Sequence, residues 1–156
     1  MKKLFVMMCL ALATTGVFAE KGDVWLGVNA CYNLDSSFKN FGVGAKAQWE
    51  FIDKFRLEPS FNYFLEANGF KRMEGNLNLH YLFNLGKKDF NIYPLAGFSF
   101  KNNKYDYKED WERGIDPNLG GGIEVPLASW VKLSGECKWY YLNDYPAVLV
   151  GLSFGL

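Results

Sequence analysis

From Asp23 onward the chain alternates, in segment after segment, between apolar and polar side chains. A period of two places successive side chains on opposite faces of an extended strand. A chain that keeps this period through segment after segment is therefore committed to β-structure with two chemically different faces. Val24, Leu26, Val28, Ala30 and Tyr32 alternate with Trp25, Gly27, Asn29, Cys31 and Asn33. Phe41, Val43, Ala45, Ala47, Trp49 and Phe51 oppose Gly42, Gly44, Lys46, Gln48 and Glu50. Phe55, Leu57, Pro59, Phe61 and Tyr63 oppose Arg56, Glu58, Ser60 and Asn62, and Gly75, Leu77, Leu79, Tyr81 and Phe83 oppose Glu74, Asn76, Asn78 and His80. The pattern continues through Phe90 to Phe100, Asn118 to Leu127, Val131 to Tyr140 and Ala147 to Leu156. These segments predict about eight antiparallel strands, an even number of the kind that closes into an up-and-down barrel.

The connections alternate as well. They are tight at Asp53, Gly86 to Asp89 and Ala128-Ser129, and more open at Asp35 to Ser37, Glu66 to Gly69 and Leu142 to Tyr145. One connection, Lys101 to Gly114, is long, charged and rich in tyrosine. Tight turns at one end and variable loops at the other are the arrangement of a membrane barrel whose tight turns and chain ends are periplasmic.

Residues 1–19 are expected to leave before folding. Lys2 and Lys3 precede a short apolar run from Leu4 to Ala13, and Val17-Phe18-Ala19 supplies a cleavage site, the composition of a secretory signal peptide. The apolar run is about half the ~20 residues a helix needs to cross a bilayer. Residues 20–156 then form one domain. With 17 Lys+Arg against 17 Asp+Glu overall, the chain has no concentrated basic character and no nucleic-acid partner is expected.

Alternation alone does not say which face is wet. A soluble lipocalin-like barrel keeps its apolar face around a ligand, whereas a membrane barrel turns it to lipid. The polar face here is crowded with small or amide groups (Gly27, Asn29, Gly42, Gly44, Gln48, Asn76, Asn78, Gly120 and Gly122). A narrow lumen demands small residues; a water-facing surface does not. Aromatics are 18% of the chain and cluster near strand ends. Trp49, Phe51, Phe55, Tyr81, Phe83 and Trp130 lie by the tight turns, and Tyr63, Trp139 and Tyr141 by the loops, as interfacial girdles would. The last strand also ends on an apolar, outward residue, Leu156.

The leader, the segment Asn118 to Glu124 (NLGGGIE) and the ending Gly151 to Leu156 (GLSFGL) together resemble small OmpA/OmpX-type outer-membrane proteins. The resemblance implies an all-β transmembrane barrel in the bacterial outer membrane. It also implies that the ending is read by the barrel-assembly machinery, although Leu156 stands where an aromatic residue is usual.

Parity sends Lys46, Glu50, Arg56, Glu58, Glu74, His80, Glu124, Lys132, Glu136 and Lys138 into the lumen. A turn centred on Asp53 would set Glu50 opposite Arg56, and one centred on Ala128 would set Glu124 opposite Lys132. Buried ions need partners, because desolvation is expensive. An eight-stranded barrel is just wide enough for side chains to fill. The expected lumen is therefore a salt-bridge plug, with a narrow ion-conducting pore as the alternative. Catalysis is not expected. The only histidine, His80, is followed by Tyr81 and Leu82, so the His-x-Ser of barrel deacylases is missing. Cys31 and Cys137 point to opposite faces of non-adjacent strands and are expected to be free thiols. One histidine and two separated cysteines make no metal cluster, and no cofactor is expected.

Within Lys101 to Gly114, Tyr105, Tyr107, Trp111 and Arg113 are residue types frequent in interface hot spots. The expected function is thus a monomeric integral outer-membrane protein with a structural or surface-interaction role. Its partners would be outer-membrane lipid and, through this loop, an extracellular ligand or host surface.

Overall fold

The computed structural model describes residues 23–35, 39–67, 69–86, 90–106 and 110–156. The expected signal peptide, Ser36, Ser37, Asn68, the Lys87 to Asp89 turn and Tyr107 lie outside them. The described residues form strands β1 (Val24–Asn33), β2 (Asn40–Ile52), β3 (Phe55–Ala67), β4 (Phe70–Tyr81, resumed at Phe83–Asn84), β5 (Asn91–Tyr105), β6 (Glu112–Ala128), β7 (Val131–Tyr140) and β8 (Tyr145–Gly155). Each pairs antiparallel with its sequence neighbours. β1 closes the sheet on β8, from Trp25 opposite Gly155 to Asn33 opposite Ala147. The result is an eight-stranded closed barrel. Closure gives every strand a partner on both sides, as a sheet in hydrocarbon requires.

The faces divide as the alternation predicts. Leu79 and Val150 are 43% and 52% exposed on the outside, while Lys46 and Glu136 are 7% and 4% exposed inside. A belt including Leu26, Val43, Phe61, Phe98, Leu119 and Val150 runs round the outer wall. In water so large an apolar surface would aggregate; against acyl chains it is solvated. The soluble-barrel alternative, which needs the opposite division, is overturned. At the tight-turn end aromatic contacts join Trp49 to Phe51, Phe55 to Tyr81, Tyr81 to Phe83 and Trp130 to Phe154. Rings gathered at one end of an apolar wall are the arrangement that membrane interfaces favour.

Three expectations about local structure are corrected. Lys101 to Gly114 is not one long loop: β5 continues to Tyr105 and β6 begins at Glu112, with Lys101 opposite Gly114 and Asn103 opposite Glu112. Tyr105 and Arg113 are therefore strand residues. Tyr145 opens β8 with its ring turned inward and 2% exposed. At the β6–β7 turn the residue opposite Lys132 is Pro126, and Glu124 stands opposite Ser134, because the register shifts between Pro126 and Ala128.

Candidate functional site

The lumen holds the charged residues, and close approach of the strands makes room for them. Tyr93 lies opposite Gly122, and a Cβ at Gly122 would fall 2.6 Å from its ring. The missing side chain lets that ring lie across the barrel. His80 stacks on it at 4.7 Å between centroids, and the Arg56 guanidinium sits 4.8 Å from the ring centre.

Arg56 is the hinge of the lower network, nearest the tight turns. Its Nη1 donates to Glu124 Oε2 at 2.6 Å, and its Nε donates to His80 Nδ1 at 3.3 Å. Both partners of the Arg56–Glu124 ion pair are wholly buried. Lys132 Nζ reaches Glu124 Oε1 at 3.2 Å, diagonally across the shifted register, and also lies 3.9 Å from the centre of the Trp25 ring. Glu50 does stand opposite Arg56, yet the carboxylate that Arg56 engages is Glu124. Glu50 instead lines the mouth of the barrel with Asp23, Lys54 and Lys132.

Above Arg56 the charges alternate in sign. Lys46 Nζ lies 3.1 Å from Glu136 Oε1 and 3.5 Å from Glu58 Oε2. Lys138 Nζ lies 3.2 Å from Glu136 Oε2 and 3.8 Å from Glu58 Oε1. Gln48 donates to Glu58 at 2.8 Å, and Tyr93 OH donates to Glu136 at 3.0 Å, so the two carboxylates are held from several sides.

At the loop end a second cluster closes the lumen. Tyr140 OH donates to Glu74 Oε1 at 2.5 Å. Lys101 Nζ pairs with Asp116 at 2.7 Å beneath the Tyr140 and Tyr145 rings, 3.8 and 4.5 Å from their centres. Arg72 donates to Asn103 at 2.7 Å and to Tyr145 OH, and lies between the Phe70 and Tyr145 rings. A cation over an aromatic ring contributes about 0.5–1 kcal/mol where exposed and about 2 kcal/mol where desolvated. Sequence reasoning missed Arg72, Tyr93, Lys101, Asp116, Tyr140 and Tyr145 as network members. Parity carries them all: Arg72 shares a face with Glu74, and Lys101 and Asp116 share one with Ser99 and Asn118.

The surface set does not assemble as a loop tip. Tyr105 stands opposite Phe70 with ring centres 5.1 Å apart, on the inward side. Arg113 is exposed on the outward side opposite Asn102, and the Trp111 ring lies 5.8 Å from Lys104 Nζ. Cys31 is buried in the lumen, Cys137 is exposed on the wall, and both are free. Among the described residues no group of three or more His, Cys, Asp or Glu side chains could hold a metal ion.

No protein-family model and no curated protein matches the sequence. Solved structures do match the backbone. The barrel of Neisserial surface protein A superposes with a TM-score of 0.66 at 15% identity, covering 86% of this chain and 97% of that one. The fold is that of a small outer-membrane β-barrel. The N-terminal barrel domain of Pseudomonas aeruginosa OprF gives 0.64 at 15% identity over 87% of this chain and all of its own. The attachment invasion locus protein Ail of Yersinia pestis gives 0.56 at 14% over 86% and 95%. The OmpA/OmpX-type fold expected from the sequence is the fold observed.

Proposed function

We propose that this chain is an integral outer-membrane protein, exported by a cleaved signal peptide, whose lumen is a closed ion-pair plug and whose role is structural or surface-interacting. The observation that carries the reading is a pair of buried ion clusters, Lys132–Glu124–Arg56 and Lys46–Glu58–Glu136–Lys138, with His80 between them, accepting from Arg56 and lying 3.8 Å from Glu58. A permeating ion would have to displace pairs whose members are buried, and breaking such a pair costs about 3–5 kcal/mol. His80 fits the same reading. Its Nδ1 accepts from Arg56 and its ring is covered by Tyr93, as suits a member of the network.

The surface-interaction half of the proposal draws on the β5–β6 hairpin, whose outward side carries Lys104 and Arg113. The neighbour Ail has been solved with the heparin analogue sucrose octasulfate, a polyanion that cations of this kind would suit.

Fractionation tests the membrane assignment: the folded chain should stay with the outer envelope and change gel mobility on boiling. Planar-bilayer recording tests the plug. The wild type should add no steady conductance, and Glu124→Gln should open brief events. A steady wild-type conductance abolished at Arg56 would establish a pore instead.

A further inference from the structure

We infer that the outer wall of the barrel, at its loop end, binds a phosphorylated acyl lipid through Lys71, Lys104 and Arg113 set above an apolar recess floored by Gly75. The inference rests on the membrane reading above and names one lipid class for one patch of wall.

The register draws the site. Phe61, Gly75, Phe100 and Ile115 lie side by side across β3 to β6, all on the outward face. Phe61 and Phe100 stand out from the wall, 47% and 54% exposed, while a Cβ at Gly75 would meet nothing within 4 Å. The wall is therefore indented between two rings. The recess has a volume of about 660 Å³ and is lined by these four residues with Met73 and Arg113. One step towards the loops come Met73, Asn102 and Arg113, and one step further Lys71 lies directly opposite Lys104.

Two lysines face to face across a ladder repel each other. Lys71 meets Glu66 at 3.7 Å, but that pair is solvent-exposed and worth little. Among the described residues no carboxylate lies within ion-pair distance of Lys104 or Arg113. Lys104, with its Nζ 5.8 Å from the centre of the Trp111 ring, and Arg113 thus bring positive charge, without a carboxylate partner among the described residues, to the height where the apolar wall ends. A phosphate among the three would remove the repulsion, and an acyl chain attached to it would run down into the recess. A zwitterionic lipid brings its own cation to the same place and loses this advantage. A free anion uses the cations but leaves the recess unused.

Folded full-length barrel, purified from membranes, can be offered phosphatidic acid, phosphatidylcholine and inorganic phosphate and read by native mass spectrometry. The wild type should retain phosphatidic acid over phosphatidylcholine by roughly fivefold per contributing cation. Lys104→Gln with Arg113→Gln should bring the two lipids to parity. Gly75→Leu, whose Cβ meets nothing within 4 Å, fills the recess between the Phe61 and Phe100 rings; it should lower phosphatidic acid retention several-fold while boiling still shifts gel mobility. Equal retention of both lipids by the wild type, inorganic phosphate competing as strongly as the lipid, or wild-type retention in both variants would each overturn the site. A barrel that inserts and is heat-modifiable but shows no lipid preference refutes this site alone, whereas a chain that never enters the envelope refutes the membrane reading.

Discussion

Arg56 and Glu124 are 68 residues apart in sequence and 2.6 Å apart across the lumen, with no water-facing surface on either side chain. Removing one partner leaves a bare charge in a poorly solvating interior; removing both leaves none. Arg56→Met should therefore destabilise the barrel by about 3–5 kcal/mol, and Arg56→Met with Glu124→Met by much less. Urea unfolding in detergent micelles, followed by gel mobility, measures both, and a double variant as weak as the single would contradict the argument. That Arg56 faces inward was legible from its neighbours Phe55 and Leu57. Its partner was not, because a contact across a barrel depends on how far the strands are staggered, which no local pattern records. The ring of Tyr93 was obscured for a different reason. Aromatic residues in such a chain suit the membrane interfaces; parity turns Tyr93 inward, and Gly122 opposite leaves the room that lets its ring lie across the lumen.

At the scale of the strand, alternation held wherever one face met lipid and lapsed where both faces were wet. β5 was expected to stop at Phe100 because Lys101 to Lys104 has the composition of a loop. Above the hydrocarbon a strand needs no apolar side, so its outward positions, Asn102 and Lys104, are as polar as its inward ones. Pairing continues there without a hydrophobic signature. Within the wall, by contrast, small residues set how closely strands and side chains approach. A Cβ at Gly97 would fall 2.2 Å from the Leu77 carbonyl oxygen and 2.5 Å from Asn78 Oδ1. Gly97→Ala should cost about 1–3 kcal/mol in the same unfolding assay, while Gly75→Ala, with open space before it, should cost almost nothing. Strand parity also separates the two thiols. Cys137 on β7 should react with a lipid-soluble maleimide in vesicles, and Cys31 on β1 only after unfolding. Equal labelling of both in the folded state would contradict the register.

Over the whole molecule, the strands are of unequal length: β1 and β7 have 10 residues, β5 has 15 and β6 has 17. At about 3.3 Å per residue, the β5–β6 hairpin reaches well beyond the rim set by the shorter strands. β7 joins β6 only from Asn118 onward, and the Leu142 N–H reaches the Asp116 carboxylate, so among the described residues no strand pairs with Arg113 to Ile115 on the side away from β5. A closed barrel has thus regained, for a few residues, the open border that closure exists to remove. Such a border invites a strand from another molecule. Here it carries the charges of Glu112 and Arg113 and ends at Pro117, which has no N–H to donate. Replacing Glu112 and Arg113 with valine should convert this guarded border into an adhesive one, read as SDS-resistant pairs of barrels on unboiled gels. Unchanged migration of that variant would mean the guard lies elsewhere.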